Sequence, residues 1–148
     1  MKKILYKLQS QSEEETISFA QDLAKELEAG DILLLHGDLG MGKTVFARAL
    51  IRALCKDKDM EVPSPTFTLV QTYDSDLGMI WHFDLYRLYD PEEVYEIGWE
   101  EALSAGEGIA LVEWPERLGG LVPEQVVNVS ISVDSKRPNS RIIEVIKS

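Results

Sequence analysis

Eight residues, Gly37-Asp38-Leu39-Gly40-Met41-Gly42-Lys43-Thr44, constrain this chain more than any other stretch. They match GxxxxGK[ST], in which glycines let backbone N–H groups approach an anion with no Cβ in the way. The flanks agree with that reading. Asp31 to Gly37 carries Ile32, Leu33, Leu34 and Leu35 in succession, which predicts a strand buried on both faces, as parallel sheets require. Lys43 to Cys55 then returns to helical spacing through Phe46, Ala49, Leu50, Ala53 and Leu54. Strand, glycine loop and helix make a phosphate-binding loop. Gly40, Met41, Gly42, Lys43, Thr44 and Val45 are its nucleotide-contacting residues: Lys43 neutralises β- and γ-phosphate charge, and Thr44 offers its hydroxyl to Mg2+. A dinucleotide fingerprint does not fit, because Val45 stands where the third glycine belongs.

The remaining pattern predicts an α/β fold around one mixed sheet. Ile4, Tyr6 and Leu8 alternate in a strand over Lys2 to Gln9. Ser12 and Glu15 form a capping box ahead of the stripe Ile17, Ala20, Leu23, Ala24 and Leu27, and Gly30 is the expected stop. Beyond Pro63 and Pro65, two extended segments, Thr66 to Tyr73 and Met79 to Leu88, flank a turn at residues 74–78. Pro91 opens a helix expected to run from Glu92 to about Ala105, and Ile109 to Val112 is a second apolar strand. The tail reads as a closing hairpin with its turn near Pro138-Asn139. With 148 residues and no repeat or linker, one domain over residues 1–148 is expected: a three-layer P-loop NTPase-like fold with antiparallel additions.

Fifteen Lys and Arg against 26 Asp and Glu give a net charge of −11, so independent nucleic-acid binding is not expected. No apolar run is long enough for a membrane span, the N-terminus lacks signal-peptide character, and the expected location is cytoplasmic. The one cysteine, Cys55, reads as a small packed residue in a helix rather than a nucleophile.

A phosphate loop needs a carboxylate at the end of a neighbouring strand to hold Mg2+ or its waters. Glu113, after Ile109-Ala110-Leu111-Val112, has that position. Asp84 is the second candidate. In Trp81 to Arg87, period two sets His82, Asp84 and Tyr86 on one face of a strand, which costs desolvation unless they have partners or that face is wet. Ser64-Pro65-Thr66 lies on a helix-to-strand loop, where switch-type NTPases place hydroxyls over a γ-phosphate. Arg87 and Arg117 read as salt-bridged surface residues and Trp114 as a core residue. No other histidine or thiol cluster supports a transition-metal site at His82 and Asp84.

Gly37 to Thr44, Ser64 to Val70, His82-Phe83-Asp84-Leu85-Tyr86-Arg87-Leu88 and Leu111-Val112-Glu113-Trp114-Pro115-Glu116 stand in an order and approximate spacing that resembles the bacterial TsaE (YjeE) family. The resemblance covers about Ser12 to Glu116 and implies an ATPase of tRNA threonylcarbamoyladenosine biosynthesis that works with two proteins, TsaB and TsaD. It implies that Thr44 and Glu113 hold Mg2+ and that Asp84 serves hydrolysis. Lys43 and a switch-like loop with Thr66 would complete the catalytic set, and Glu13 and Thr16 would lie near the nucleotide. Two positions depart from the family pattern: Met41 replaces a small residue, and Val45 replaces a frequent second threonine while keeping its backbone N–H. The alternative is a small P-loop kinase, which would need an acceptor pocket and an arginine-bearing lid. A GTP switch would need an Asn-Lys-x-Asp-type reader, which the sequence lacks.

Overall fold

The computed structural model describes residues 3–37, 42–65, 67–104 and 108–147. Seven strands form one sheet in the order β1-β7-β6-β2-β5-β4-β3. They are β1 (Lys3–Ser10), β2 (Ile32–His36), β3 (Val70–Ser75), β4 (Gly78–Asp84), β5 (Ile109–Glu113), β6 (Val127–Asp134) and β7 (Arg137–Lys147). The central strands β6, β2, β5 and β4 run parallel, while β1, β7 and β3 add antiparallel edges. This is the expected α/β architecture with a mixed sheet. The helices are α1 (Glu13–Ala24), α2 (Lys43–Leu54) and α3 (Trp99–Ser104), with 3-10 segments at Pro91–Ile97 and Pro115–Leu121. Among the described residues, no helix is long and apolar enough to cross a membrane.

Strand alternation sorts the apolar residues into two layers. Leu33, Leu35, Ile109 and Leu111 face α1 and α2, where Phe19, Leu23, Phe46 and Leu50 complete one core. Leu34, Ala110 and Val112 face the other way, onto Val94, Trp99 and Leu118. β2 and β5 are therefore apolar at every position between their ends because both of their faces are covered.

The local signals of the sequence are met with four shifts. Ser12 caps α1, its hydroxyl accepting from Glu15 N at 3.1 Å, but the Glu15 carboxylate reaches back to Gln11 N rather than to Ser12. α1 ends at Ala24 rather than at Gly30, and Leu27 enters the core from non-helical chain. The helix expected over 92–105 is instead a 3-10 segment and a short α3, divided at Gly98. Gly98 has φ +92°, and a Cβ there would stand 2.7 Å from the Trp81 ring, so the break is built around an indole. In the tail, Asp134 Oδ1 accepts from Lys136 N at 3.0 Å and closes the turn at Ser135-Lys136. Pro138 and Asn139 lie inside β7, where the pairing jumps from Asp134–Arg137 to Val133–Arg141. That irregularity accommodates a proline with no N–H to give the ladder.

Candidate functional site

The site lies at the carboxyl ends of the parallel strands, where open α/β sheets bind ligands. β2 ends at His36 and delivers Gly37, whose φ is +149° and whose hydrogen replaces a Cβ that would come within 2.7 Å of the Ile131 carbonyl oxygen. α2 then begins at Gly42, a left-handed cap residue with no side-chain hydrogen bond to the helix. The contrast with α1 is informative. α1 has a serine cap and three glutamates in its first turn, whereas α2 has no cap and no acid there. The first amides and partial positive charge of α2 are left to an anion from outside the helix.

Lys43 is only 6% exposed. Among the described residues no carboxylate lies within ion-pair distance of it. Its Nζ sits 3.9 Å from the centroid of the Trp114 ring, a cation–π contact. Trp114 follows β5 with φ +58°, and it also packs on Tyr86 at 5.0 Å between ring centroids. The tryptophan expected in the core packs partly buried against the layer of Val112 and Leu118 and also supports the lysine, and Tyr86 falls beyond the end of β4 as a half-exposed residue rather than extending a polar row. Thr44 is exposed in the first turn of α2.

The two acids meet through strand register. β4 pairs with β5 so that Asp84 stands opposite Glu113, and β2 pairs with β5 so that Leu35 stands opposite Glu113. Both carboxylates are buried, Asp84 at 5% exposure and Glu113 at 7%. Asp84 Oδ1 accepts from Tyr86 N at 3.0 Å, and Asp84 N donates to the Leu69 carbonyl at 2.9 Å. That second bond, with Leu69 N donating to the Pro65 carbonyl, anchors the loop after Ser64 to the end of β4. Gly40, Met41 and Thr66, expected at the nucleotide, lie outside the described residues.

His82 was left without a role by sequence reasoning. Its Nε2 lies 2.7 Å from Glu113 Oε2, and its Nδ1 is buried with no partner among the described residues. The other histidine, His36, pairs with Asn128 at 2.8 Å. Among the described residues no cluster of three or more His, Cys, Asp or Glu could hold a metal ion. The oxygen donors Thr44 and Glu113 instead suit Mg2+, which takes few protein ligands and keeps its waters.

A cavity of about 270 Å3 adjoins the start of α2 and was not legible in the sequence. Gly42 and Val45 form one wall, Ser10, Glu13 and Thr16 another, and Asn139 and Arg141 of β7 a third. Ser10 and Thr16 share a buried hydrogen bond of 2.7 Å between their hydroxyls. The structure therefore sets Glu13 and Thr16 in one cavity with Gly42 and Val45 at the start of α2, together with residues from both ends of the chain. The remaining polar candidates are engaged elsewhere. Arg87 stacks on the exposed Phe67 ring at 4.5 Å and Arg117 donates to the Leu88 carbonyl, and among the described residues neither makes the expected salt bridge. Burial and the nearby Asp57 and Asp74 push the Cys55 thiol above its ordinary range, which keeps it protonated and poorly nucleophilic.

Comparison with known proteins agrees with this architecture. The family profile described as "Threonylcarbamoyl adenosine biosynthesis protein TsaE" matches residues 10–143. The chain is 46% identical over 128 residues to the tRNA threonylcarbamoyladenosine biosynthesis protein TsaE of Rickettsia bellii, covering 85% of this chain and 87% of that one. It is 42% identical to the Aquifex aeolicus protein of the same name, over 72% of this chain and 74% of that one. The crystal structure of Bacillus subtilus YdiB superposes with a TM-score of 0.74 at 29% identity, over 99% of this chain and 87% of that one. The chain belongs to the TsaE family, whose role is in the biosynthesis of threonylcarbamoyladenosine in tRNA.

Proposed function

We propose that this chain is a Mg2+-dependent ATPase that supports threonylcarbamoyladenosine formation together with the TsaB and TsaD proteins. One observation carries the nucleotide reading: a buried lysine without a carboxylate partner among the described residues, at the head of an uncapped helix that has no acid in its first turn. A buried ammonium is costly unless a negative group arrives to share the site. Nucleotide phosphates supply that group, and the loop and helix amides bind them. Thr44 and Glu113 would hold Mg2+, which would supply positive charge to the β- and γ-phosphates. Asp84 acts on the attacking water, the loop carrying Thr66 covers the γ-phosphate side, and the cavity between Val45, Glu13 and Arg141 receives the nucleoside. All these roles belong to one ATPase domain spanning residues 1–148.

The test is ATP binding and hydrolysis by Lys43→Ala. Removing a charged hydrogen-bond donor costs about 1.5–3 kcal/mol, so ATP affinity should fall roughly 10- to 100-fold. Titration calorimetry reads the loss directly, and an unchanged ATP affinity in a folded variant would refute the assignment of the site.

A second expectation follows from the resting place of Lys43. With its ammonium 3.9 Å above the indole, Trp114 reports where that charge is. Phosphates draw Lys43 away from the ring, so Mg–ADP or Mg–ATP should change tryptophan emission. Trp114→Phe should abolish the change, because Lys43 lies over the Trp114 ring, whereas Trp99 is buried at 1% exposure and Trp81 stacks on Phe83. A signal that survives in Trp114→Phe would assign the response to one of those two indoles instead.

A further inference from the structure

We propose that His82 is a positioning residue for Glu113, holding one carboxylate oxygen so that the other is presented to the Mg2+–nucleotide. This rests on the reading that Glu113 serves Mg2+. His82 sits in the middle of β4 at 2% exposure. Its surroundings on that face are apolar: Ile80 precedes it on the same face, Leu111 is its register partner on β5, and both belong to the core under α1 and α2. An imidazole in such a layer loses hydration and needs partners. His82 finds one, Glu113 Oε2, and among the described residues its buried Nδ1 has no partner. A buried orphan of this kind carries its full desolvation cost, so an aliphatic residue would serve the fold better. What the histidine contributes is a fixed donor. An ionised carboxylate can only accept, so Nε2 carries the proton and donates to Oε2.

That bond matters because of where Glu113 stands. It is the last residue of β5, with a long side chain that several rotamers could turn either way. One oxygen anchored at 2.7 Å removes most of its freedom, and Oε1 has no hydrogen-bond partner among the described residues. Groups that orient a ligating side chain in this way typically account for 10- to 100-fold in metal affinity.

The experiment measures Mn2+ binding to the ADP complex of the full chain by electron paramagnetic resonance, a readout independent of turnover. His82→Leu should weaken Mn2+ roughly 10- to 100-fold while ADP affinity without metal stays as in the wild type. His82→Gln places an amide N–H where Nε2 stands and should restore metal affinity. A folded His82→Leu protein with wild-type Mn2+ affinity would overturn the proposal. Should the leucine variant not fold, His82→Gln is compared with His82→Asn, whose amide falls one bond short. Retention in Gln with loss in Asn supports positioning, and equal affinities overturn it. Glu113→Ala in the same assay separates the two levels. If it also keeps wild-type affinity, the metal role of Glu113 fails. If it loses affinity while His82→Leu does not, only the positioning role fails.

Discussion

Asp84→Asn should bind ATP as the wild type does and hydrolyse it 10²- to 10⁴-fold more slowly, the range that a positioned general acid–base group contributes. The expectation rests on where Asp84 stands. It is not on the phosphate loop or on the first turn of α2, so the resting phosphates do not depend on it. It ends β4, opposite Glu113 and anchored to the loop that follows Ser64. Asparagine is the informative replacement, because Oδ1 can still accept from Tyr86 N and keep the local turn closed. Alanine would remove that acceptor and mix a structural loss with a chemical one. Stability should be unchanged or improved in Asp84→Asn, since two buried acids in register on neighbouring strands repel one another when both are charged. Loss of turnover without loss of stability is the signature of a residue kept for chemistry. The measurements are titration calorimetry, steady-state phosphate release and a thermal midpoint. Turnover within a factor of about two of wild type in the folded variant, against the 100-fold lower bound expected here, would make Asp84 a structural residue.

The parts of this site that were readable in the sequence are those written in consecutive residues. The phosphate loop is one eight-residue string between a strand and a helix, and β2 and β5 announce themselves by apolar runs that only a doubly covered strand shows. Glu113 was readable because it directly ends such a run. His82 was not, because its meaning depends on β4 pairing with β5 in a register that local pattern does not specify. Ser10 and Arg141 were invisible for a stronger form of the same reason. They come from strands near opposite ends of the chain, and only the sheet order brings β1 and β7 together. The misjudged helix after Pro91 has a different cause. Its apolar spacing is helical, but Gly98 carries a left-handed backbone against the Trp81 ring, and tertiary packing overrode the periodic signal. The moved turn at Ser135-Lys136 shows the converse: Pro138-Asn139 has turn composition, yet a bulge absorbed it.

The isolated chain should be a poor ATPase, and TsaB and TsaD together should raise its turnover by orders of magnitude. Hydrolysis at a phosphate loop needs a positioned water and positive charge against the developing γ-phosphate charge, and an arginine supplied from a partner can contribute 10³- to 10⁵-fold. Arg87 is stacked on Phe67, Arg117 donates to the Leu88 carbonyl, and Arg141 is turned onto the carbonyls of Pro138 and Ser140. Lys43 is buried, with its ammonium held over the Trp114 ring. Completion from outside is therefore the economical solution. The net charge of −11 favours a basic protein face over an RNA backbone as the group that docks. Charge-guided docking weakens with ionic strength as the Debye length shortens, so the stimulation should shrink between low and moderate salt at sub-saturating partner concentration. Saturating partner should restore it, since salt acts on association and not on the assembled site. The measurement is phosphate release by the chain alone, with each partner and with both, across that salt range, alongside product analysis for a phosphorylated acceptor. A fast isolated enzyme indifferent to both proteins would overturn the partner-completed site. A phosphorylated acceptor in place of free phosphate would turn the assignment from ATPase to kinase.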